Sequence, residues 1–386
     1  MQEQQSASAA AAARFQGRTA RAAVLRAPGR PLEVQELEVS EPGAEEVLVR
    51  LVASGVCHSD YHVQLGEWAA PMPIVLGHEG AGVVAAVGER VQGLQVGDSV
   101  VLSWSPSCRR CEWCVSGRPQ LCSQAEAFAY RSVMADGTTR LRRGDEAVHA
   151  YLALGTFGEY AVVHESAAIR VAGSVALEAA ALVGCAVATG FGAVVNTARV
   201  PAGASVAIIG CGGVGLSAVQ GARATAAGPI IAVDLHDEKL DLARSLGATH
   251  GVHAGREDPV AAVRAITGGR GVDFALEAIG LPRAIEQAVE MLAAGGSAVL
   301  VGQAPDDSRI SVDPLRISDR ELRIIGCNYG SCRPPVDFPR LLDLCARGVI
   351  DLEAMISRRI GLEDVNHAFA AMGAGEGLRS VIVYGD

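Results

Sequence analysis

The chain has 386 residues, 49% of them hydrophobic and 20% charged, with a formal net charge of −10. That length accommodates two domains with separate cores. The acidic balance, with no basic block, argues against nucleic acid or an anionic membrane surface as partner, and no apolar run approaches the ~18 residues of a spanning helix.

Gln2 to Ala13 is rich in Gln, Ser and Ala and lacks a basic start and an apolar centre, so residues 1–18 read as a disordered tail rather than a signal peptide. Of the ten cysteines, four lie at metal spacing between Cys108 and Cys122, which favours reduced thiols in the cytoplasm over disulfides. Among 33 basic residues only Lys239 is a lysine, so that residue invites a local explanation.

From Ala20 to about Val101, short β-branched runs such as Val47–Val52 and Gly82–Val87 alternate with glycine turns. This predicts an antiparallel, partly barrel-like domain. Within it, Cys57-His58-Ser59-Asp60-Tyr61-His62 packs a thiol, a hydroxyl, a carboxylate and two imidazoles into six residues. Such a cluster suits a metal beside proton chemistry. His78 and Glu79, between Gly77 and Gly80, add an imidazole ligand and a carboxylate able to tune the metal.

Cys108, Cys111, Cys114 and Cys122 follow at C-x2-C-x2-C-x7-C, which can wrap one tetrahedral zinc. An iron–sulfur cluster is the rival. The short, turn-rich lobe offers electrons nowhere to go, which favours a closed structural zinc. Residues 123–157 read as irregular, and strands return at Ala161–Val163 and Ala168–Val171.

Glu178 to Val195 is helix-compatible and holds Cys185. Ser205–Ile209 then reads as a buried parallel strand running into Gly210-Cys211-Gly212-Gly213-Val214-Gly215, a helix over Leu216–Ala226, and a second strand ending at Asp234. This is a dinucleotide fingerprint in its proper setting. Gly210 makes the tight turn, Gly212 admits the pyrophosphate, Gly213 and Val214 open the helix, and Gly215 permits close strand–helix packing. A carboxylate at Asp234 would grip ribose hydroxyls and repel a 2′-phosphate, favouring NAD over NADP, with Lys239 in reach of the same ribose. Further αβ units predict a doubly wound domain over 186–328. After Pro334-Pro335, helices at Arg340–Arg347 and Leu362–Met372 and a strand at Ser380–Tyr384 return to the first domain, making 19–185 and 329–386 one discontinuous unit.

Taken together, these motifs resemble the zinc-dependent medium-chain alcohol dehydrogenases from about Ala20 to the C-terminus. The resemblance rests on Cys57–Asp60, Gly77–Gly80, the four-cysteine lobe, Gly184–Gly190, Gly210–Gly215 and Asp234. It implies an α/β protein: a doubly wound Rossmann cofactor domain plus a mainly antiparallel, GroES-like catalytic domain. It also implies two zincs per subunit, NAD, an alcohol or aldehyde substrate and, from the long form of the segment Cys122–Phe157, a homodimer.

By the same resemblance Cys57, His78 and Cys185 hold the catalytic zinc with Glu79 beside them, and Asp60 orients His78. Zinc lowers the pKa of the alcohol, the proton leaves through Ser59, the cofactor ribose and His62, and hydride passes to the nicotinamide. His58 and Arg379 fall on pyrophosphate positions and Thr189 near the nicotinamide. A histidine at 58, in place of a common arginine, would hold the phosphates less firmly and ease NADH release. Trp68, Trp104 and, less directly, Tyr151 fall on pocket positions, which suits a primary, flat or aryl alcohol. Cys211, Cys327, Cys332 and Cys345 match no ligand position and read as structural thiols, and Tyr61 has no evident role.

Two rival functions share these features. A thiol-dependent formaldehyde dehydrogenase would use the same ligands and also often carries a histidine after the first zinc cysteine, but no basic cluster for a thiol carboxylate is evident. A non-catalytic zinc and nucleotide sensor, or a zinc-free quinone-reductase-like relative, would be marked by loss of Cys57, Ser59, His62 or Cys185, and all four are present.

Overall fold

A computed structural model describes residues 18–171, 173 and 175–385. The expected N-terminal tail lies outside these residues except for Arg18, which already opens the first strand.

The N-terminal half supplies ten strands: β1 (Arg18–Leu25), β2 (Glu33–Val39), β3 (Glu46–Gly55), β4 (Ile74–Val75), β5 (Glu79–Val87), β6 (Ser99–Leu102), β7 (Leu141–Arg143), β8 (Glu146–Ala150), β9 (Tyr160–His164) and β10 (Ala168–Arg170). Five of them close a small barrel in the order β1-β2-β7-β8-β4. Residues 123–157 are therefore less irregular than their sequence reads. β7 and β8 are only three and five residues long, too short for alternation to register, and they are fixed by pairing with β2 and β4.

A parallel sheet follows: β11 (Val206–Ile209), β12 (Ile230–Asp234), β13 (His250–His253), β14 (Val272–Glu277), β15 (Leu292–Leu300) and β16 (Arg323–Gly326). Its order is β13-β12-β11-β14-β15-β16, the doubly wound topology whose reversal point lies at β11 and β14. Near-continuous burial along β11 and β12 reflects helices on both faces. One core cluster includes Ile208, Val219 and Leu240, and another includes Ile209, Val263 and Val289.

The last two strands, β17 (Ile356–Ile360) and β18 (Arg379–Val383), do not join the parallel sheet. β18 pairs antiparallel with β3, so the C-terminal segment shares a sheet of order β10-β6-β5-β3-β18-β17, with β9 also on β3. Pro334 and Pro335 do not precede the next helix but open it, over Pro334–Ala346, because proline suits the first turn where N–H groups have no partner.

The stretch around Cys185 departs most from a simple helix. Leu177–Ala180 is α-helical and Ala181–Gly184 is 3₁₀; the chain breaks at Cys185 (φ −143°, ψ −73°), and Ala186–Gly192 resumes the α-helix before a π-helical turn over Ala193–Ala198. Among the described residues no single helix is long and apolar enough to cross a membrane. The two arms flanking Cys185 pass that test only together, bent by 54°, and residues 179–194 are almost all buried core.

Glycine permits two close approaches beside the fingerprint. A Cβ on Gly215 would lie 1.7 Å from the Gly210 carbonyl oxygen, and one on Gly190 would lie 2.0 Å from that of Val214. The first contact packs the fingerprint helix on its strand, and the second packs the Cys185 arm on that helix.

Candidate active site and metal centres

Cys57 stands at the N-terminus of the helix His58–Leu65, in extended conformation directly after β3. Asp60, fully buried, turns its carboxylate back on this turn and across to the next segment. It accepts the Cys57 amide (3.2 Å), the Gly77 amide (2.9 Å) and His78 Nδ1 (3.0 Å). The last contact fixes His78 with Nε2 as its free donor. Gly77 adopts φ +91°, and a Cβ there would lie 2.5 Å from Phe157, so only glycine delivers His78 at this angle.

Cys57, His78, Glu79 and Cys185 each offer a ligand atom within 4.8 Å of the others. Two thiols and an imidazole form a borderline-soft set that suits zinc, and a three-residue set leaves a fourth direction open. These groups also set one another's protonation. A hydrogen bond from Cys185, aided by Arg379 and His78 and opposed by burial, holds Cys57 well below the usual thiol range. The same bond, with burial, holds Cys185 well above it. Burial works to lower His78, yet Asp60 and Cys57 carry it well above its ordinary value. A cation among these groups would displace their protons.

Glu79 is held behind this cluster. One oxygen accepts the Ala186 amide (3.1 Å) and the other pairs with Arg379 from β18. Burial raises its pKa to about 6 against the opposing pull of Arg379. Tyr329, with φ +55°, donates its hydroxyl to the Gly184 carbonyl and so pins the break that presents Cys185.

The second cluster joins Cys108, Cys111, Cys114 and Cys122, all within 4.8 Å. Cys108 and Cys114 sulfurs are 4.0 Å apart, and those of Cys111 and Cys122 are 3.9 Å apart. A tetrahedron with ~2.3 Å zinc–sulfur arms has edges of about 3.8 Å. The amides of Cys108 and Cys111 point at the Cys122 and Cys108 sulfurs (3.2 and 3.3 Å), as they would toward thiolates.

A cavity of ≈ 420 Å³ opens beside the first cluster, between the two sheets, and Cys57, His78 and Cys185 line it. Ser59, 3.9 Å from the Cys57 sulfur, and His62 also face it, as do Thr189 and Val214. So do all three aromatics singled out in the sequence, Trp68, Trp104 and Tyr151. Tyr130, Tyr329 and Cys327 are among the other lining residues and carried no sequence signal for the site, coming from segments with no motif. Cys327 therefore faces a cavity, although its sequence reads as a structural thiol. Tyr61 turns away and packs on Phe369 (5.6 Å between centroids), a core contact.

The fingerprint forms the adjoining cleft. Space above Gly212 is open to 4 Å, and Gly213 starts the helix Gly213–Ala224. Arg379 lies against Gly213, its side chain almost fully buried and paired with Glu79, while its Nε has no partner. An orphaned guanidinium N–H beside unpaired helix amides fits a phosphate oxygen. His58 lines the same cavity, and burial lowers its pKa, which favours the neutral ring. Asp234 ends β12, and its carboxylate accepts the amides of Cys211 (2.7 Å), Leu235 (2.7 Å) and His236 (3.1 Å). Lys239 lines a second cleft of ≈ 710 Å³ with His236 and Arg256.

Residues 43–173 match the family model of the alcohol dehydrogenase GroES-like domain, and residues 213–347 match that of zinc-binding dehydrogenases. An S-(hydroxymethyl)glutathione dehydrogenase from a Synechocystis species is 38% identical over 367 residues, covering 94% of this chain and 99% of that protein. The crystal structure of an alcohol dehydrogenase zinc-binding domain protein from Burkholderia ambifaria superposes with TM-score 0.92 at 38% identity, over 96% of this chain and 100% of that one. Benzyl alcohol dehydrogenase from Acinetobacter calcoaceticus superposes with TM-score 0.91 at 34% identity, over 95% and 100% of the two chains.

Asp60→Asn should lower zinc affinity at the Cys57 cluster by about 10–100-fold while sparing the four-cysteine lobe. Metal analysis after dialysis against a weak chelator is then expected to fall from about two zincs per chain to about one.

Proposed function

The chain belongs to the zinc-dependent medium-chain alcohol dehydrogenase family, and from that membership we propose an NAD-dependent dehydrogenase of primary alcohols, with flat or aryl alcohols preferred. The observation that carries this reading is one aromatic-walled cavity of ≈ 420 Å³ on which an open Cys57–His78–Cys185 cluster and the dinucleotide cleft converge. When bound, zinc supplies a Lewis acid to the substrate oxygen, and the nicotinamide supplies the hydride acceptor.

The chain's own residues do the rest. Cys57, His78 and Cys185, which all line the cavity, would hold the metal, and Asp60 keeps the His78 proton on Nδ1. Ser59 Oγ takes the alcohol proton. His62, one helical turn further along the same face, hands it toward solvent. Trp68, Trp104 and Tyr151 present ring faces and edges that orient a flat substrate. Gly210 to Gly215 and Arg379 hold the pyrophosphate, and neutral His58 contributes little charge to that grip. Asp234 and Lys239 receive the adenosine ribose. Cys108, Cys111, Cys114 and Cys122 hold the second zinc as a closed structural site.

A second reading, oxidation of an S-hydroxymethyl thiol adduct, is favoured by the name of the Synechocystis relative, 38% identical over nearly its whole length. Against it, among the described residues no arginine or lysine lines the cavity to receive a thiol's carboxylates. Turnover followed by NADH absorbance separates the two. Benzyl alcohol with NAD should be oxidised without any thiol, and glutathione should not accelerate formaldehyde turnover; strict dependence on glutathione would reverse the assignment. In the same assay Asp234→Gly should lower the preference for NAD over NADP by about tenfold, roughly 1.4 kcal/mol.

We assign the protein to the reducing cytoplasm, in keeping with ten free cysteines, and to a homodimer. The dimer reading rests on the long form of the segment Cys122–Phe157, and β16, an edge strand of the parallel sheet with Ile324 38% exposed, is in keeping with it. Light scattering should return twice the 39.8 kDa chain mass, whereas a monomer mass would refute the dimer.

A further inference from the structure

Resting on the dehydrogenase reading above, we propose that Glu67 is a positioning residue that holds the His62 imidazole in its Nδ1–H tautomer, leaving Nε2 as the proton-accepting atom. No motif marks Glu67. It lies past the end of the helix and carries no ligand spacing.

The geometry begins at Gly66, which ends the helix His58–Leu65 in the left-handed region (φ 82°, ψ 15°). A Cβ there would also strike Pro28 at 2.8 Å, so the turn belongs to glycine. The turn folds the chain back over the last helical residues, and the amides of Glu67 (2.9 Å) and Trp68 (3.4 Å) both point at the His62 carbonyl. From this position the Glu67 carboxylate meets His62 Nδ1, while the Trp68 ring stacks on the imidazole face at 4.6 Å between centroids, tilted by 28°.

His62 is thus held on an edge and a face, with its side chain 19% exposed and that of Glu67 41% exposed. The other titratable ring nearby is His58, 6.1 Å away on the preceding helical turn. Among the described residues Glu67 is the one carboxylate paired with His62.

A carboxylate only accepts hydrogen bonds, so a neutral His62 must carry its proton on Nδ1 to satisfy this contact. Nε2 is then unprotonated and is the ring nitrogen left for the cavity that Ser59 and His62 both line. A proton arriving at Nε2 creates an imidazolium whose charge the Glu67 carboxylate offsets. The Nε2 proton then passes to solvent water, and the Nδ1–H bond to Glu67 stays unbroken throughout. An isolated surface ion pair would contribute little; the effect proposed here is on which nitrogen is bare.

Two measurements on the full-length protein decide this. In protein labelled with ¹⁵N-histidine, the His62 ring is assigned by its loss in His62→Gln. Its neutral form should show a protonated Nδ1 and a bare Nε2, and Glu67→Ala should move it toward the Nε2–H form that free histidine side chains favour. In alcohol oxidation, where Glu67→Gln should stay near wild type because its side-chain carbonyl still accepts from Nδ1–H, Glu67→Ala should lower kcat about tenfold with KM for the alcohol within roughly twofold. It should have no further effect in a His62→Gln background.

Wild-type His62 protonated on Nε2, or an undiminished effect of Glu67→Ala without His62, would overturn the Glu67 assignment alone. A wild type that oxidises no alcohol would overturn the catalytic reading, and the relay role with it. The nitrogen shifts read the Glu67–His62 contact independently of turnover.

Discussion

The Asp60 carboxylate is the constraint on which the rest of this structure depends. A carboxylate with no exposure is costly unless both of its oxygens are hydrogen-bonded. Asp60 meets that demand with the amides of Cys57 and Gly77 and the imidazole of His78. One side chain therefore caps the helix that presents Ser59 and His62 and, in the same contacts, aims the His78 ligand. Neither the helix nor the loop before β5 could shift without stripping a partner from a buried charge.

Three more segments, remote in sequence, close around that anchor. Arg379 arrives from the last strand to neutralise Glu79, whose other oxygen ties down the amide of Ala186, just after Cys185. Tyr329 holds the carbonyl of Gly184 on the other side of the same break. Presentation of Cys185 thus comes from a helix interrupted on purpose. The break is maintained by polar contacts from the ends of both sheets, and the cavity lies where those sheets meet. On the proposed function, proton handling falls to the helix His58–Leu65 and phosphate handling to the fingerprint, and Arg379 links Glu79 to Gly213 of that fingerprint.

How much of this was legible in the sequence depended on how local each device is. The fingerprint and the four-cysteine lobe encode their geometry within a few residues, so spacing alone carries the chemistry. Cys185 does not: a cysteine among alanines and valines has no periodic signature, and only resemblance to a family singled it out. Strands β7 and β8 escaped because a barrel stabilises strands too short to show alternation. Glu67 escaped because its partnership with His62 exists only once Gly66 turns the chain back. Resemblance alone put Arg379 on a pyrophosphate position, and its ion pair with Glu79 joins residues 300 positions apart and left no trace in the sequence.

The central claim is that two metal clusters of different composition coexist, one with four sulfurs and one with two sulfurs and an imidazole held by Asp60. Zinc X-ray absorption spectroscopy of the zinc-replete protein tests it most directly. Averaged over both clusters, the account predicts about three sulfur neighbours at ~2.3 Å and about one nitrogen or oxygen neighbour at ~2.0 Å per zinc. Four sulfurs per zinc with no nitrogen would mean that only the cysteine lobe binds metal, and would contradict it.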